Sequence, residues 1–225
     1  RPARAKPPVL LPARHPVPLA ELAADPSALH NTRFKKQQRR LILEGKRPPE
    51  CAYCWDIEDT RGPLFSDRII KTTDPWAWSE FDRIRSLPWD ASVQPTYLEV
   101  MLDDACNFSC IYCMADISTS VAAEMRTHGP YPVSNPNHRM PEQKDRADPG
   151  PYLEAFWRWL GDLAPNLKVL RITGGEPLLS SKLDRLFDAV SATPNPELAL
   201  VLNSHLSHPW AKVERLANRI QQLIA

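Results

Sequence analysis

The chain has 225 residues and a formal net charge of +1; 43% of its residues are hydrophobic and 24% are charged. Such values are typical of a soluble protein with a sizeable core, and the balanced charge gives no whole-molecule attraction to nucleic acid or anionic membranes. No apolar run approaches the roughly 20 residues of a membrane-spanning helix, and no secretion signal is recognisable. The first residue is Arg1 rather than methionine, so we expect native sequence to precede it.

The beginning of the chain, residues 1–26, is rich in proline and alanine and predicts an extended arm. A helix is predicted over residues 27–44, with a weak apolar stripe and with Gly45 placed to end it. Its basic run, residues 35–40, favours a solvated helix face over phosphate binding, because no interleaved aromatics or second basic patch accompany it. Nucleic acid is therefore not an expected partner.

The region that includes this helix, residues 27–94, is predicted to be helical and irregular. Loops and one short helix are expected between residues 56 and 91. Four large aromatic side chains of that stretch are predicted to be core residues rather than a cofactor-binding box: Trp76, Trp78, Phe81 and Trp89.

From residue 95 onward the pattern becomes regular. Strands are predicted at residues 96–102, 167–173 and 198–203, and helices at 152–163, at 181–192 and from 209 onward. Alternating strands and helices imply parallel pairing with right-handed crossovers, so the predicted fold class is α/β. A polar loop with four prolines, residues 133–151, interrupts this pattern and is either a mobile lid or a surface excursion.

The five cysteines form two tight clusters, Cys51 with Cys54 and Cys106 with Cys110 and Cys113. An odd, clustered set without a secretion signal favours metal ligation in a reducing, cytoplasmic compartment over disulfide pairing. Zinc held by two cysteine pairs would leave one cysteine unused and the tight triplet unexplained. An iron–sulfur cubane accommodates C-x3-C-x2-C on one loop because its irons lie close together. Three ligands leave one iron open for a substrate or cofactor.

A second motif, "RITGGEPLL", ends the next predicted strand. Gly174 and Gly175 allow the backbone to approach a ligand closely, and Glu176 supplies a carboxylate suited to an ammonium group. Taken alone, the motif is better explained as a strand-to-helix turn. However, both motifs follow the carboxyl ends of strands, where barrels and open α/β sheets build ligand sites. Together they indicate one site.

The segments "CNFSCIYC" and "TGGEPLL" resemble the signatures of the radical S-adenosylmethionine (SAM) superfamily, CxxxCxΦC with an aromatic Φ and a GGE motif after the second strand. The resemblance spans residues 95–205. It implies that Cys106, Cys110 and Cys113 hold a 4Fe–4S cluster and that SAM binds the open iron. The cofactor-binding positions that it implies are Tyr112 (at Φ), Thr173, Gly174, Gly175, Glu176, Asn203 and Ser204.

A narrower resemblance lies upstream, where "RRLILEGKRPPECAYCWDIED" is similar to the end of a twitch-type auxiliary-cluster segment. It implies that Cys51 and Cys54 are ligands of a second iron–sulfur cluster. No cysteine outside the triplet remains to complete that cluster. Missing ligands in preceding sequence, a degraded cluster, a zinc remnant and two free thiols therefore all stay open.

The superfamily barrel has six βα units, and only three are recognisable in residues 95–225. We therefore expect the first half of a (βα)6 barrel, which is either truncated or a non-catalytic half-barrel that acts with a second chain.

The activity implied by the resemblance is reductive cleavage of SAM to a 5′-deoxyadenosyl radical that abstracts hydrogen from a substrate. We expect a peptide or protein substrate, with a small molecule as the close alternative, and an electron donor such as flavodoxin or ferredoxin. His205 and His208 are predicted to be surface or packing residues, and Asp103 and Asp104 either line the site or are solvated. The rival hypothesis is a zinc- or cluster-holding module that binds nucleic acid or a protein without catalysis.

Overall fold

The computed structural model describes residues 17–60, 65–132 and 150–224. The chain divides into two compact units, Arg1–Gln94 and Pro95–Ala225. The predicted polar loop lies outside the described residues apart from its last two, which begin a helix. Most of the predicted arm also lies outside them.

Within its described residues, the first unit consists of short helices and turns. The helices are α1 (Leu19–Ala24), α2 (Ala28–Asn31), α3 (Arg33–Leu43), α4 (Ala52–Glu58), α5 (Asp67–Thr72), α6 (Pro75–Trp78) and α7 (Phe81–Ser86), and a 3-10 turn spans Pro49–Cys51. The extended arm is therefore wrong where α1 forms, because Leu22 is buried there. A single short helix after residue 56 is also wrong.

The helix predicted over residues 27–44 is divided at Thr32. This residue has an extended backbone, with φ −58° and ψ 153°, so it ends α2. Its hydroxyl then accepts a hydrogen bond from the backbone N–H of Lys35 at 3.1 Å and caps α3. The buried side chain of Asn31 pairs with the backbone N–H and C=O of Val93, at 2.9 and 3.0 Å, and so ties α2 to the end of this unit.

The aromatic side chains of the first unit are mostly not core residues. Trp78 is 66% exposed, Phe81 46% and Trp89 37%, so the core prediction is wrong for these three. Trp78 and Phe81 stack on each other at 5.6 Å, and the guanidinium of Arg40 covers the ring of Trp89 at 5.2 Å. Such contacts lower the cost of leaving a large ring at the surface.

The second unit contains a three-stranded parallel sheet in the order β1-β2-β3. The strands are β1 (Tyr97–Met101), β2 (Val169–Thr173) and β3 (Ala199–Leu202), and the helices are α8 (Thr119–His128), α9 (Gly150–Leu163), α10 (Leu183–Ser191) and α11 (Trp210–Ile224). The α/β class is confirmed. The boundaries of the three strands and of the three predicted helices agree with the prediction within two residues, whereas α8 was not predicted. The described strands form an open sheet, and the barrel stays a prediction.

The fully buried side chains of this unit come largely from alternate residues of β2 and from the inward stripes of α9 and α10. Leu170 and Ile172 are 0% exposed. The predicted inward positions of α10 are all buried: Leu183, Leu186, Phe187 and Val190. This core places the carboxyl ends of the three strands at one edge of the sheet, where the loops of the two motifs begin.

Candidate functional site

The three-cysteine loop runs from the end of β1 to the start of α8. Its cysteines are free thiols of intermediate exposure. The first turn of α8 fixes the backbone of Cys106: its N–H donates to the hydroxyl of Thr119 at 3.0 Å, and its C=O accepts from the hydroxyl of Ser120 at 2.6 Å. The hydroxyl of Ser118 caps α8 and also donates to the C=O of Phe108 at 3.3 Å. The loop therefore starts from a fixed base.

The tip of this loop is open to solvent. Ile111 is 85% exposed and Tyr112 is 82% exposed. A hydrogen bond with Cys110 is the main cause that raises the pKa of Tyr112. Burial raises the pKa of the Cys113 thiol, and the charges of Cys106 and Cys110 act in the same direction. Negative charge on the neighbouring sulfurs thus disfavours the ionised form of Cys113.

Close approach of ligand atoms is found elsewhere at this edge of the sheet. Of the described residues, the one group of three ligand-type side chains with all donor atoms within 4.8 Å of one another is Glu176, His205 and His208. The three cysteine thiols are not gathered in this way. They are free and partly exposed, so their side chains can rotate toward a bound group.

The GGE loop packs directly on the backbone that precedes Cys106. The N–H of Gly175 donates to the C=O of Asp103 at 3.2 Å, and that of Glu176 donates to the C=O of Ala105 at 2.7 Å. A Cβ on Gly174 would lie 2.5 Å from the Asp103 oxygen, and one on Gly175 would lie 2.3 Å from the Ala105 oxygen. Both glycines are thus required for close contact between the two loops, and Gly174 also has a φ of +123°.

Glu176 is buried against donors of its own chain. Its side chain is 1% exposed. The carboxylate accepts from the N–H of Leu178 at 3.0 Å, the hydroxyl of Ser204 at 2.7 Å and the N–H of His205 at 3.0 Å. Burial raises the pKa of this carboxyl, but these hydrogen bonds and the nearby His205 together lower it below its ordinary value. Glu176 therefore joins the loop after β2 to the loop after β3.

His205 continues this connection to the three-cysteine loop. Its ring stacks on Phe108 with centroids 4.1 Å apart. Its Nε2 lies 3.0 Å from Oδ1 of Asn107 and 3.2 Å from Oε2 of Glu176. The backbone N–H of Ser207 donates to Nδ1 at 3.0 Å. A neutral ring with an accepting Nδ1 carries its proton on Nε2, which is therefore a donor.

His208 is the third member of this group. Its side chain is 5% exposed, and its Nε2 lies 3.5 Å from Oε1 of Glu176 without a hydrogen bond to any described residue. Glu176, His205 and His208 could hold a metal ion by distance alone. Because the N–H of Ser207 donates to Nδ1 of His205, the neutral ring carries its proton on Nε2 and would have to lose it there to bind a metal ion. Hydrogen bonding is therefore the better account of the contact between Glu176 and His205.

The sequence predicted surface or packing positions for His205 and His208, without a partner. In the structure their side chains lie against Glu176 of the GGE motif. The available signal was the H-x-x-H spacing directly after a predicted parallel strand, because such strands end at one edge of a sheet. Asn107 and Phe108 carried no signal that singled them out.

The remaining predicted site residues at the strand ends are engaged with neighbouring strands. The hydroxyl of Thr173 donates to Oε1 of Glu99 at 3.2 Å, and Oδ1 of Asn203 accepts from Nε of Arg171 at 3.3 Å. Asp103 forms an ion pair with Lys182 at 2.8 Å, and its side chain is 29% exposed.

The backbone of the neighbouring Asp104 is also used within the unit. Its C=O accepts from the N–H of Thr119 at 2.9 Å. This bond adds a second tie between the base of the three-cysteine loop and the start of α8.

Cys51 and Cys54 lie in the first unit, at the end of the 3-10 turn and in α4. Both are free, and burial is the main cause that raises the pKa of Cys51. No third ligand-type side chain in the described part of the chain converges on them within 4.8 Å. The described residues therefore do not complete a second metal site here.

The basic run of α3 is bonded within its own unit. Lys35 donates to the C=O of Leu29, Lys36 to Ser92, Arg39 to Asn31 and Arg40 to Glu44.

In the part of the chain that the structure describes, no helix is both long and apolar enough to cross a membrane.

Comparison with protein-family models, with curated proteins and with solved structures finds no match for this chain.

Proposed function

We propose that the chain is a radical SAM enzyme whose 4Fe–4S cluster is held by Cys106, Cys110 and Cys113. The observation that carries this proposal is the contact between the two sequence motifs. The GGE loop hydrogen-bonds to the C=O of Ala105, the residue directly before Cys106. Two motifs that lie far apart in the sequence thus form one surface at the carboxyl edge of a parallel sheet.

The donor set suits the proposed cluster. Three free, partly exposed thiols lie on one loop, at sequence spacings that can reach different irons of one cluster. When bound, the cluster would supply the electron for reductive cleavage of SAM, and SAM would supply the radical that abstracts hydrogen from a substrate carbon. The protein's own task is to present the thiols and to exclude water. Thr119 and Ser120 help to present the thiols because they fix the backbone of Cys106.

The finer features of the proposal follow from the same resemblance. We propose that the sheet is the first half of a barrel, since β1, β2 and β3 are parallel and consecutive. A peptide or protein is the proposed substrate, and flavodoxin or ferredoxin is the proposed electron donor. Thr173 and Asn203, at the ends of β2 and β3, are the proposed polar contacts to SAM.

The test is SAM cleavage by the full chain after anaerobic loading with iron and sulfide. With a reductant present, we expect 5′-deoxyadenosine to accumulate. Cys110→Ala should abolish it because one cluster ligand is lost, whereas Cys54→Ala serves as a matched control outside the triplet. If the cluster-loaded chain forms no 5′-deoxyadenosine, the proposal is wrong.

A further inference from the structure

Three loops meet at the carboxyl edge of the sheet: the three-cysteine loop, the GGE loop and the loop after β3, residues 203–209. We propose that Glu176 and His205 form an anchor that holds the three-cysteine loop in place. In this proposal Glu176 is a positioning residue, and it does not accept the ammonium group of SAM. The inference rests on the proposed function only in taking that loop to be the cluster-binding one.

The first step is the state of the Glu176 carboxylate. It is 1% exposed, and each oxygen already accepts at least one hydrogen bond from the chain. Oε1 receives the N–H of Leu178 and the hydroxyl of Ser204, while Oε2 receives the N–H of His205. An ammonium group would have to enter a closed site and compete with these donors for the carboxylate, which costs free energy.

The second step is the orientation of His205. The carboxylate holds both its backbone N–H and, at 3.2 Å, the Nε2 side of its ring. Ser207 holds the opposite side of the ring by donating to Nδ1 at 3.0 Å. The ring is therefore fixed from two directions, as a second layer of hydrogen bonds fixes a catalytic group.

The third step is what the fixed ring contacts. His205 stacks on Phe108 and its Nε2 lies 3.0 Å from Oδ1 of Asn107, and both residues lie between Cys106 and Cys110. The base of the loop is tied to α8, but its tip at Ile111 is 85% exposed. His205 thus supports the segment between the first two cysteines, whose spacing decides whether both sulfurs reach a cluster.

Hydrogen exchange of the full chain without metal tests the anchor directly. In His205→Ala, we expect the amides of residues 105–110 to exchange about tenfold faster, because the ring stack on Phe108 and the hydrogen bond with Asn107 are lost. His205→Gln keeps an N–H donor and should restore part of the protection. His128→Ala, at an exposed position of α8, is the matched control and should leave these amides unchanged. Unchanged exchange in His205→Ala would overturn the proposal.

Glu176→Gln separates the anchor from a SAM-binding role. The amide replaces one acceptor oxygen with a donor that faces the N–H groups of the chain, so exchange should rise about tenfold at residues 203–208 and also at 105–110. Glu154→Gln, on the exposed side of α9, is its control. If Glu176→Gln weakens only SAM binding and leaves exchange unchanged, Glu176 is a ligand contact and the proposal is wrong.

Iron uptake keeps this inference separate from the proposed function. If the unaltered chain binds no iron, the proposed function fails, while the exchange data still decide whether the anchor exists. If the unaltered chain binds iron, we expect His205→Ala to change the electron paramagnetic resonance spectrum of the reduced cluster, and His205→Gln to change it less. An identical spectrum in all three would contradict the anchor.

Discussion

At Gly175 the two sequence motifs touch. The sequence predicted that glycine here allows the backbone to approach another group closely, and the approached group is the C=O of Ala105. The requirement for glycine was therefore predictable from the motif, but its partner was not. That partner depends on the parallel register of β1 with β2, which pairs Met101 with Thr173 and so brings the following loops together.

Gly175→Ala should destabilise the second unit. The added Cβ would lie 2.3 Å from the oxygen of Ala105 and 2.6 Å from that of Asp104, and both are backbone atoms with little freedom to move. We expect a loss of about 1–3 kcal/mol in the free energy of unfolding, measured by chemical denaturation.

Gly161→Ala is the matched control for this change. Gly161 lies inside α9, and a Cβ added there would meet no neighbouring atom within 4 Å. Alanine at this position should stabilise the chain by about 0.5–1 kcal/mol. Equal effects of the two substitutions would contradict the packing of the GGE loop on the three-cysteine loop.

Glu176 and His205 show the limit of prediction from single residues. The resemblance assigned Glu176 to a ligand, and spacing alone gave His205 no special role. Their contact joins loops after different strands, and each hydrogen bond depends on the rotamer of a buried side chain. The H-x-x-H spacing after β3 could have placed His205 at the same edge of the sheet as Glu176, but it could not have shown which atoms are in contact.

Among the elements, predictability followed the strength of the hydrophobic pattern. The helix α10 has apolar residues at helical spacing, and its boundaries agree with the prediction within two residues. The helix α8 was missed because its buried side chains are few and include the small Ala122. In the first unit, helices of four to seven residues are too short to display a period.

Phe187→Ala tests the core of the second unit at the level of one helix. Phe187 is 1% exposed, so its truncation should lower the free energy of unfolding by about 3–5 kcal/mol. Trp210→Ala removes a larger ring from a position that is 75% exposed and should change that energy by less than about 0.5 kcal/mol. Similar losses in thermal or chemical denaturation would show that α10 does not pack as described.

His30 gives the first unit a predictable response to acid. Burial, with the nearby charges of Lys35 and Arg39, lowers the pKa of His30 from 6.5 to about 4. Between these values the unfolded chain binds a proton that the folded chain does not, so stability should fall as the pH falls. The slope is about 1.4 kcal/mol per pH unit in that window.

Hydrogen exchange of peptides from α2 and α3, recorded between pH 4 and 7 and corrected for the intrinsic exchange rate, measures this slope. His30→Gln should flatten it because the titrating group is gone. His128→Gln, at an exposed position, controls for the loss of a histidine. A slope that persists in His30→Gln would contradict the assignment to His30.

For the whole molecule, the account depends on the division into two units that each contain cysteines. The second unit joins its three cysteines to a GGE loop, whereas the described residues of the first unit do not complete a site around Cys51 and Cys54. The α/β class was predictable from alternating strand and helix patterns. Closure of the sheet into a barrel stays a prediction, because the described strands form an open sheet of three.

The most direct test is the iron, sulfide and zinc content of the anaerobically purified full chain. We expect about four irons and four sulfides per chain, retained in Cys51→Ala/Cys54→Ala and lost in Cys106→Ala/Cys110→Ala/Cys113→Ala. Further iron that disappears only in the first variant would reveal a second cluster. Stoichiometric zinc without sulfide, or iron retained after loss of the three cysteines, would contradict the central claim.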